Sequence, residues 1–462
     1  MGVLALNAVA QPSPAAPRWL AWLPVVDARE VRGLSALYVT LVVYEFAARY
    51  MLEHWLGPRF GYFHMDYDAS QPLTYFSICL LTPLSVLPAG WKLETASHFI
   101  LTIFMTFVGL PAPLFFVHVV PASEFWGAYA SFFACYLILA LSTRVYLPRI
   151  PSPFSERGYK VLLWLTLALF AGVFVYGLST SFSLVSYADI YTQRYSENVA
   201  GVFVQRVAVA YAFAFGGFFF ALALMFDRPI LATVAILSYI ICYGLIIYKA
   251  AALAPLWIMY IFLFFKYVNR DSAIRFYLAL MAPFYAGFMV YIFSADTANI
   301  GDNPIQFVIL LFTVFRQYGV TAHAPALYQE FFRTHPHTYW SHISGIDYFV
   351  HYPYADDTIA IQLEKTYALG NYNSGFLASD AIEAYGYQAL PVVGLVVGLF
   401  FAVLNTAARG FGPRFLVLLM VMPALYFDER PLATSLLTGG IGFLILYLAW
   451  MPRSWLARSQ SN

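Results

Sequence analysis

This sequence is short of charge. Only 11% of its 462 residues are Asp, Glu, Lys or Arg, where a soluble domain carries about a quarter. That shortage excludes an ordinary water-soluble domain. Cysteine is rarer still: Cys79, Cys135 and Cys242 all fall inside apolar runs, which excludes a disulfide framework and a zinc site. The net charge of +1 and the lack of any basic run leave no basis for a nucleic-acid partner. Walker A, H-E-x-x-H and Rossmann glycine patterns are missing, so cytosolic nucleotide chemistry has no support and no cofactor is called for. No arginine recurs at every third position as in a voltage sensor, and no two similar halves with broken helices suggest a transporter. The first 17 residues have neither a basic n-region nor a full apolar core. They read as a disordered cytoplasmic tail and not as a cleaved signal.

What remains is apolar. Hydrophobic residues make up 61% of the chain and aromatics 19%, the balance of an all-α polytopic membrane protein. Twelve runs suit spanning helices, at about 33–52, 71–90, 98–119, 124–142, 160–180, 202–226, 229–248, 250–267, 275–294, 389–408, 413–427 and 432–451. A further run, "IQFVILLFTVF" at 305–315, has eleven residues and is too short to cross unaided. The expected order is therefore a tail over 1–32, nine spans over 33–294, and a large outer loop over 295–388. Three spans over 389–451 and a second tail over 452–462 complete it.

The positive-inside rule supports this count. With both termini cytoplasmic, inner segments hold sixteen of the 25 basic residues, Lys92, Arg144, Arg409 and Arg414 among them, although the longest loop is outside. Counting 305–315 as a span would move Arg409 and Arg414 outward, so a re-entrant or interfacial helix is expected there.

Two outer segments concentrate polar residues, 181–201 and about 295–388, and long loops of this kind are often functional. The second holds His323, His335, His337, His342 and His351. Any of these imidazoles could act as a general base, and each could equally be packing with a polar tip. Arg206 lies several residues into an apolar run. It either snorkels to the headgroups or grips phosphate oxygens at the top of a bundle, and Arg194 in the preceding loop could serve the same pocket. Arg316 and Arg333 fit a functional role or an ion pair equally well. Glu45 and Arg49, four apart on one helix, read as a self-neutralising pair. Asp66 and Asp68 form a weak D-x-D on the first outer loop. Gly394 and Gly398 have the spacing of close helix packing. In "DAIE", Asp380 and Glu383 match a capping box, which would start a helix at Asp380 that Gly386 bends before the next span.

Three stretches together carry a resemblance. "FRQYGVTAHAPALYQEFFRTHPHTYWSH" (315–342), "YPY" (352–354) and "NYNSGFLASDAIEAYGYQALPVVG" (371–394) resemble the loop of bacterial oligosaccharide repeat-unit polymerases, the Wzy-type O-antigen and capsule polymerases. The similarity covers about eighty residues. It implies a GT-C-like membrane fold and polymerisation on the periplasmic face of the bacterial inner membrane. Donor and acceptor would both be glycans on undecaprenyl pyrophosphate, and the reaction would be independent of metal. A polysaccharide chain-length regulator is an implied partner. Arg316, His335 and the stretch from Asn371 to Gly386 come over by motif. Arg316, His335, His323 and Arg206 are then the catalytic candidates. Arg194, Arg333, Tyr328, Tyr352, Tyr354, Asn371, Asn373 and Asp380 are the substrate-binding candidates. Two other readings stay open: a GT-C glycosyltransferase that uses a polyprenyl-monophosphate sugar with Asp66 or Asp68 as base, and a glycolipid flippase.

Overall fold

The computed structural model describes residues 28–149, 151–185, 201–268, 272–294, 303–343, 345–354, 357–369, 372, 375–456 and 459. Among them there are helices and no strand, only one isolated bridge between Lys92 and Ser272. The protein is an all-α multi-pass membrane protein with eleven helices long and apolar enough to cross a bilayer among the described residues. The expected N-terminal tail lies outside the described residues as far as residue 27, as does most of segment 181–201.

Nine consecutive helices come first: α1 (Ala28–Phe63), α2 (Pro72–Ala89), α3 (Ala96–Val119), α4 (Ala122–Ser142), α5 (Glu156–Thr180), α6 (Val202–Met225), α7 (Pro229–Ile246), α8 (Lys249–Tyr267) and α9 (Ala273–Ile292). Local chemistry sets their starts. The Thr95 hydroxyl caps α3 by accepting from His98 N, and Ser155 does the same for α5 from Gly158 N, both at 3.2 Å. Prolines occupy the first turns of α2 and α7, where no N–H partner is needed. Helix α3 is predominantly apolar and, apart from His118 near its end, enclosed by its neighbours, as a helix without a polar face must be. The outward faces of the others present isolated large hydrophobes, as a lipid-facing surface requires.

Helix ends fall into two groups. At one end the Trp91 carbonyl accepts Ala273 N at 2.8 Å, and Asn405 Nδ2 donates to the Thr143 carbonyl at 2.9 Å. This end carries Lys92, Arg144, Arg228, Arg275, Arg409 and Arg414, and we call it the basic end. At the other, the loop end, Tyr291 donates to the His54 carbonyl at 3.1 Å and His118 lies 3.6 Å from Asp66.

After α9 comes α10 (Pro304–Phe332), 29 residues long. This corrects the expectation of a short helix over 305–315. The apolar run ends at Arg316, yet the helix continues through a π-helical stretch, Leu311–Val320, and past Pro325. Its course nevertheless returns to where it began. Phe315 stacks on Phe60 at 4.0 Å, Tyr318 reaches inward to Phe284 at 5.3 Å, and His323 Nε2 meets the His64 carbonyl at 3.0 Å. Arg333, just past its end, donates to the Val119 carbonyl at 3.0 Å, again at the loop end.

The chain then forms α11 (Ile359–Tyr367) and α12, π-helical over Phe376–Ile382 and α-helical over Glu383–Tyr385. Gly386, at φ +72°, breaks α12 from α13 (Tyr387–Ala407), a backbone conformation open to glycine. Helix α14 (Pro413–Glu429) returns to the loop end, and α15 (Leu432–Leu437) with α16 (Ile441–Trp450) goes back. The run expected as one span over 432–451 is thus two helices, separated at Gly440, where φ is +75°. Helix α13 packs closely on α4: a Cβ at Gly394 would lie 3.0 Å from Cys135 Sγ, and one at Gly398 would meet Ser142 Oγ.

Candidate functional site

The loop end gathers nearly every ionisable group that is not at the basic end. Its organising contact is between α12 and the corner "FDERPL" that joins α14 to α15. Gly375 N donates to the Asp428 carbonyl at 2.8 Å, and a Cβ at Gly375 would lie 2.6 Å from that oxygen. Only glycine allows this approach. Phe376 stacks on Phe427 at 5.0 Å, and Asp380 Oδ2 accepts Leu432 N at 2.7 Å.

That last bond overturns the capping-box expectation. Asp380 lies inside a π-helical stretch that already began at Phe376, so it has no helix of its own to cap. It caps α15 instead. The Glu383 carboxylate turns away from its own backbone to His342, with Oε1 3.2 Å from Nδ1. His342 Nε2 lies 3.8 Å from Asp380 Oδ1, an ion-pair separation too long for a hydrogen bond. Burial pulls the imidazole down, but the two carboxylates outweigh it and push His342 up to about 9. Burial raises Glu383, and the neighbouring imidazolium offsets part of that rise. Backbone bonds lock the same contact: Thr338 N donates to the Glu383 carbonyl at 2.9 Å and Tyr339 N to that of Ala384 at 3.1 Å. The Trp340 indole donates to the Asp380 carbonyl at 2.7 Å. Residues 338–342 and α12 therefore form one strap across the bundle mouth.

The sequence candidates fall into separate groups. Tyr328 is buried and donates to the Tyr372 carbonyl at 3.2 Å. Burial raises the Tyr372 phenol, and the nearby Arg316 guanidinium partly opposes that rise. His323 is enclosed between Phe115, at 5.4 Å, and Tyr372, at 6.2 Å, with Nδ1 lacking a partner. Arg316, His323 and Tyr328 thus meet around Tyr372. The remaining groups sit on the rim. His335 stacks on Phe331 at 3.9 Å with Nδ1 toward that residue's carbonyl. Tyr354 donates to the Pro336 carbonyl and Tyr352 to that of Asp357, at 2.5 and 3.0 Å. Arg333 is held by Val119. Arg206 is exposed on α6 and is not drawn into the strap. Arg194, Asn371 and Asn373 lie outside the described residues.

One further expectation is corrected. Arg49 pairs with Glu53 at 3.3 Å and receives no help from Glu45; its guanidinium also donates to the Tyr67 hydroxyl at 2.9 Å. Glu45 is 0% exposed with both carboxylate oxygens unpartnered. Asp68 is consumed in a turn, accepting Ser70 N at 2.9 Å and Gln71 Nε2 at 2.8 Å.

A cavity of about 370 Å³ opens beside the strap, between α6, the α7–α8 corner and the end of α14. Its lining mixes the polar side chains of Gln205, Tyr248, Tyr426 and Arg430 with Val209 and Phe213. Arg430 stands over the Tyr248 ring at 5.9 Å, and Tyr248 donates to Glu429. Sequence reading missed Arg430 and the pairing of His342 with Glu383. The signal for the first was present: three successive charges, Asp428–Glu429–Arg430, end an apolar run in a chain poor in charge.

No family model matches the chain, and no curated protein or solved structure is significantly similar to it.

Proposed function

We propose that the protein is a membrane glycosyltransferase that polymerises oligosaccharide repeat units, both substrates being linked to undecaprenyl pyrophosphate. It would act from the loop end, at the periplasmic face of a bacterial inner membrane. One observation carries the reading. The three stretches that resemble the polymerase loop, separated in sequence by nine and sixteen residues, touch one another at the loop end. Tyr328 bonds to Tyr372, and Thr338 to Glu383.

The chemistry suits such a surface. An acceptor hydroxyl attacks the anomeric carbon of the donor. The carbon–oxygen bond to pyrophosphate breaks, and the leaving group takes that electron pair. Arginines near the mouth, Arg316 first among them, can stabilise the developing negative charge. A rim imidazole such as His335 can accept the hydroxyl proton, and the tyrosines can stack on sugar faces. The monophosphate-sugar alternative keeps Asp66 as its candidate base, since the Asp68 carboxylate is committed to its own turn.

Deletion of the gene in its native host, followed by surface-glycan electrophoresis, tests the proposal. Loss of the ladder with a single repeat retained is the expected result. An unchanged ladder refutes it, as does a normal-length ladder lacking one decorating sugar. Loss of even the single repeat points to a flippase.

A further inference from the structure

Helix α1 carries three charged residues at four-residue intervals, Glu45, Arg49 and Glu53, so they share one face of the helix. Exposure falls along that face toward the middle of the bundle. The Glu53 side chain is 33% exposed, that of Arg49 21%, and Glu45 0%. One turn further on, Leu41 is buried and the polar face of α1 ends. Arg49 is committed toward the loop end, to Glu53 and to the Tyr67 hydroxyl. Tyr67 in turn stacks on Tyr75 of α2 at 4.4 Å, and the Tyr75 hydroxyl accepts Asp68 N at 3.1 Å. A file of polar groups therefore leads from the loop end down to Glu45.

Among the described residues Glu45 has no counter-ion within bonding reach. The groups on which its carboxylate acts are ordinarily neutral: Tyr44 beside it, Cys79 on α2, Tyr129 and Tyr136 on α4, and Tyr318 on α10. On α9, Tyr285 faces Tyr44 at 6.2 Å. Tyr44 donates to the Thr106 carbonyl of α3 at 2.7 Å, and the Tyr129 hydroxyl lies 3.2 Å from Thr82 Oγ1. The hydroxyls of Tyr136 and Tyr318 are buried without a partner, as are both oxygens of Glu45. An unpaired ionised carboxylate inside a membrane is costly, and a proton removes that charge. A divalent cation matches less well, because it draws on several oxygen ligands and more than one negative charge. A proton needs one carboxylate oxygen.

We propose that Glu45 is a proton-binding site inside the membrane, open to water at the loop end along the Glu53–Arg49 face of α1. A proton from hydronium adds to a carboxylate oxygen, leaving water behind, and departs by the same route. No other bond changes. The free hydroxyls of Tyr136 and Tyr318 can accept from the acid or donate to the carboxylate, so the surroundings suit both states. This site goes beyond the polymerisation proposed above, whose chemistry does not call for it, and it stands or falls separately.

The test is carboxyl modification of the full chain, reconstituted in one orientation in phosphatidylcholine vesicles and read by peptide mass spectrometry. Dicyclohexylcarbodiimide enters the apolar phase and reacts with protonated carboxyls. The acid adds across a carbon–nitrogen double bond, its proton going to nitrogen and its oxygen to carbon. Glu45 should be labelled, and above the midpoint of its titration the labelling should fall about tenfold per pH unit. With the two sides buffered separately, labelling should follow the pH at the loop end and ignore that at the basic end. A charged, water-soluble carbodiimide should reach Glu53 and spare Glu45. These readings are made on the wild-type chain, so no variant has to fold. Glu45→Gln, which keeps the shape, should lose a carboxylic-acid carbonyl band from the infrared spectrum that in wild type fades reversibly as pH rises. No label at Glu45, a label indifferent to pH or following the basic end, or equal labelling by the water-soluble reagent overturns the proposal. So does protection of Glu45 by sodium at constant ionic strength, which would make it a metal-cation site.

Discussion

The two ends of the bundle handle buried polar groups in opposite ways. At the basic end, side chains complete the backbone. Asn405 accepts Ser97 N at 3.1 Å and donates to Thr143, Thr406 Oγ1 accepts Leu147 N at 2.7 Å, and Ser152 donates to the Trp450 carbonyl at 2.9 Å. Among the described residues, no buried side-chain polar atom at that end lacks a partner. At the loop end His323 Nδ1, Gln329 Oε1, His342 Nε2, the Tyr372 hydroxyl and both oxygens of Asp428 all lack one. Native structures rarely leave such groups unsatisfied without a reason. One end is finished as a scaffold. The other leaves these groups buried without hydrogen bonds.

Breaking the strap should produce the largest effect. His342→Ala leaves Asp380 and Glu383 buried without their counter-charge, and such a loss costs about 3–5 kcal/mol. Hydrogen–deuterium exchange should show faster exchange in 338–342 and 376–385, with the basic end unchanged. Titration should reproduce part of this in the native chain. The folded-state value of His342, about 9, lies above its ordinary value of 6.5. Its contribution is therefore fully present below pH 6.5 and is lost as pH rises through about 9. Limited proteolysis of the strap should accelerate across that window, and His342→Gln should abolish the dependence.

Gly375→Ala comes next. Its new methyl group meets the carbonyls of Phe427 and Asp428, which are backbone atoms and cannot rotate away. A penalty of about 1–3 kcal/mol is expected, read as loosening of the contact between α12 and the α14–α15 corner. Asn405→Ala sharpens the contrast from the other side. It strands the Ser97 N–H and the Thr143 carbonyl, costs about 1–3 kcal/mol, and should lower the melting temperature in detergent with exchange in the strap unaltered. The smallest effect has the opposite sign. Glu45 lies between the two ends with neither carboxylate oxygen bonded. Glu45→Leu should raise the melting temperature, by an amount worth about 1 kcal/mol, by removing an unsatisfied polar group. A fall would mean that Glu45 has a partner in the membrane.

How much of this the sequence contains depends on the range of the interaction. Apolar runs are local, so α2 to α9 and α13 are legible to within about four residues, whereas α1 runs on to Phe63, eleven residues past its apolar run. Helix α10 is not, because Arg316 ends the apolar run while the helix continues through a π-helical stretch. Glu45 and Glu53 both stand four residues from Arg49, so spacing offers two partners, and burial of Glu45 decides between them. Asp380 and Glu383 have capping-box spacing, but the helix they share starts at Phe376, and their partners are Leu432 and His342, each some forty to fifty residues away. Contacts that distant leave no pattern in one sequence. The polar loop could be located from composition, whereas the strap it forms could only be seen folded.

The division of labour between the ends can be tested in one experiment. Cells lacking the gene are complemented with Arg316→Gln or with Asn405→Ala, at matched levels of membrane-inserted protein, and their surface glycans are separated by electrophoresis. The account predicts no ladder beyond a single repeat from Arg316→Gln and a full ladder from Asn405→Ala. A full ladder from Arg316→Gln would contradict it.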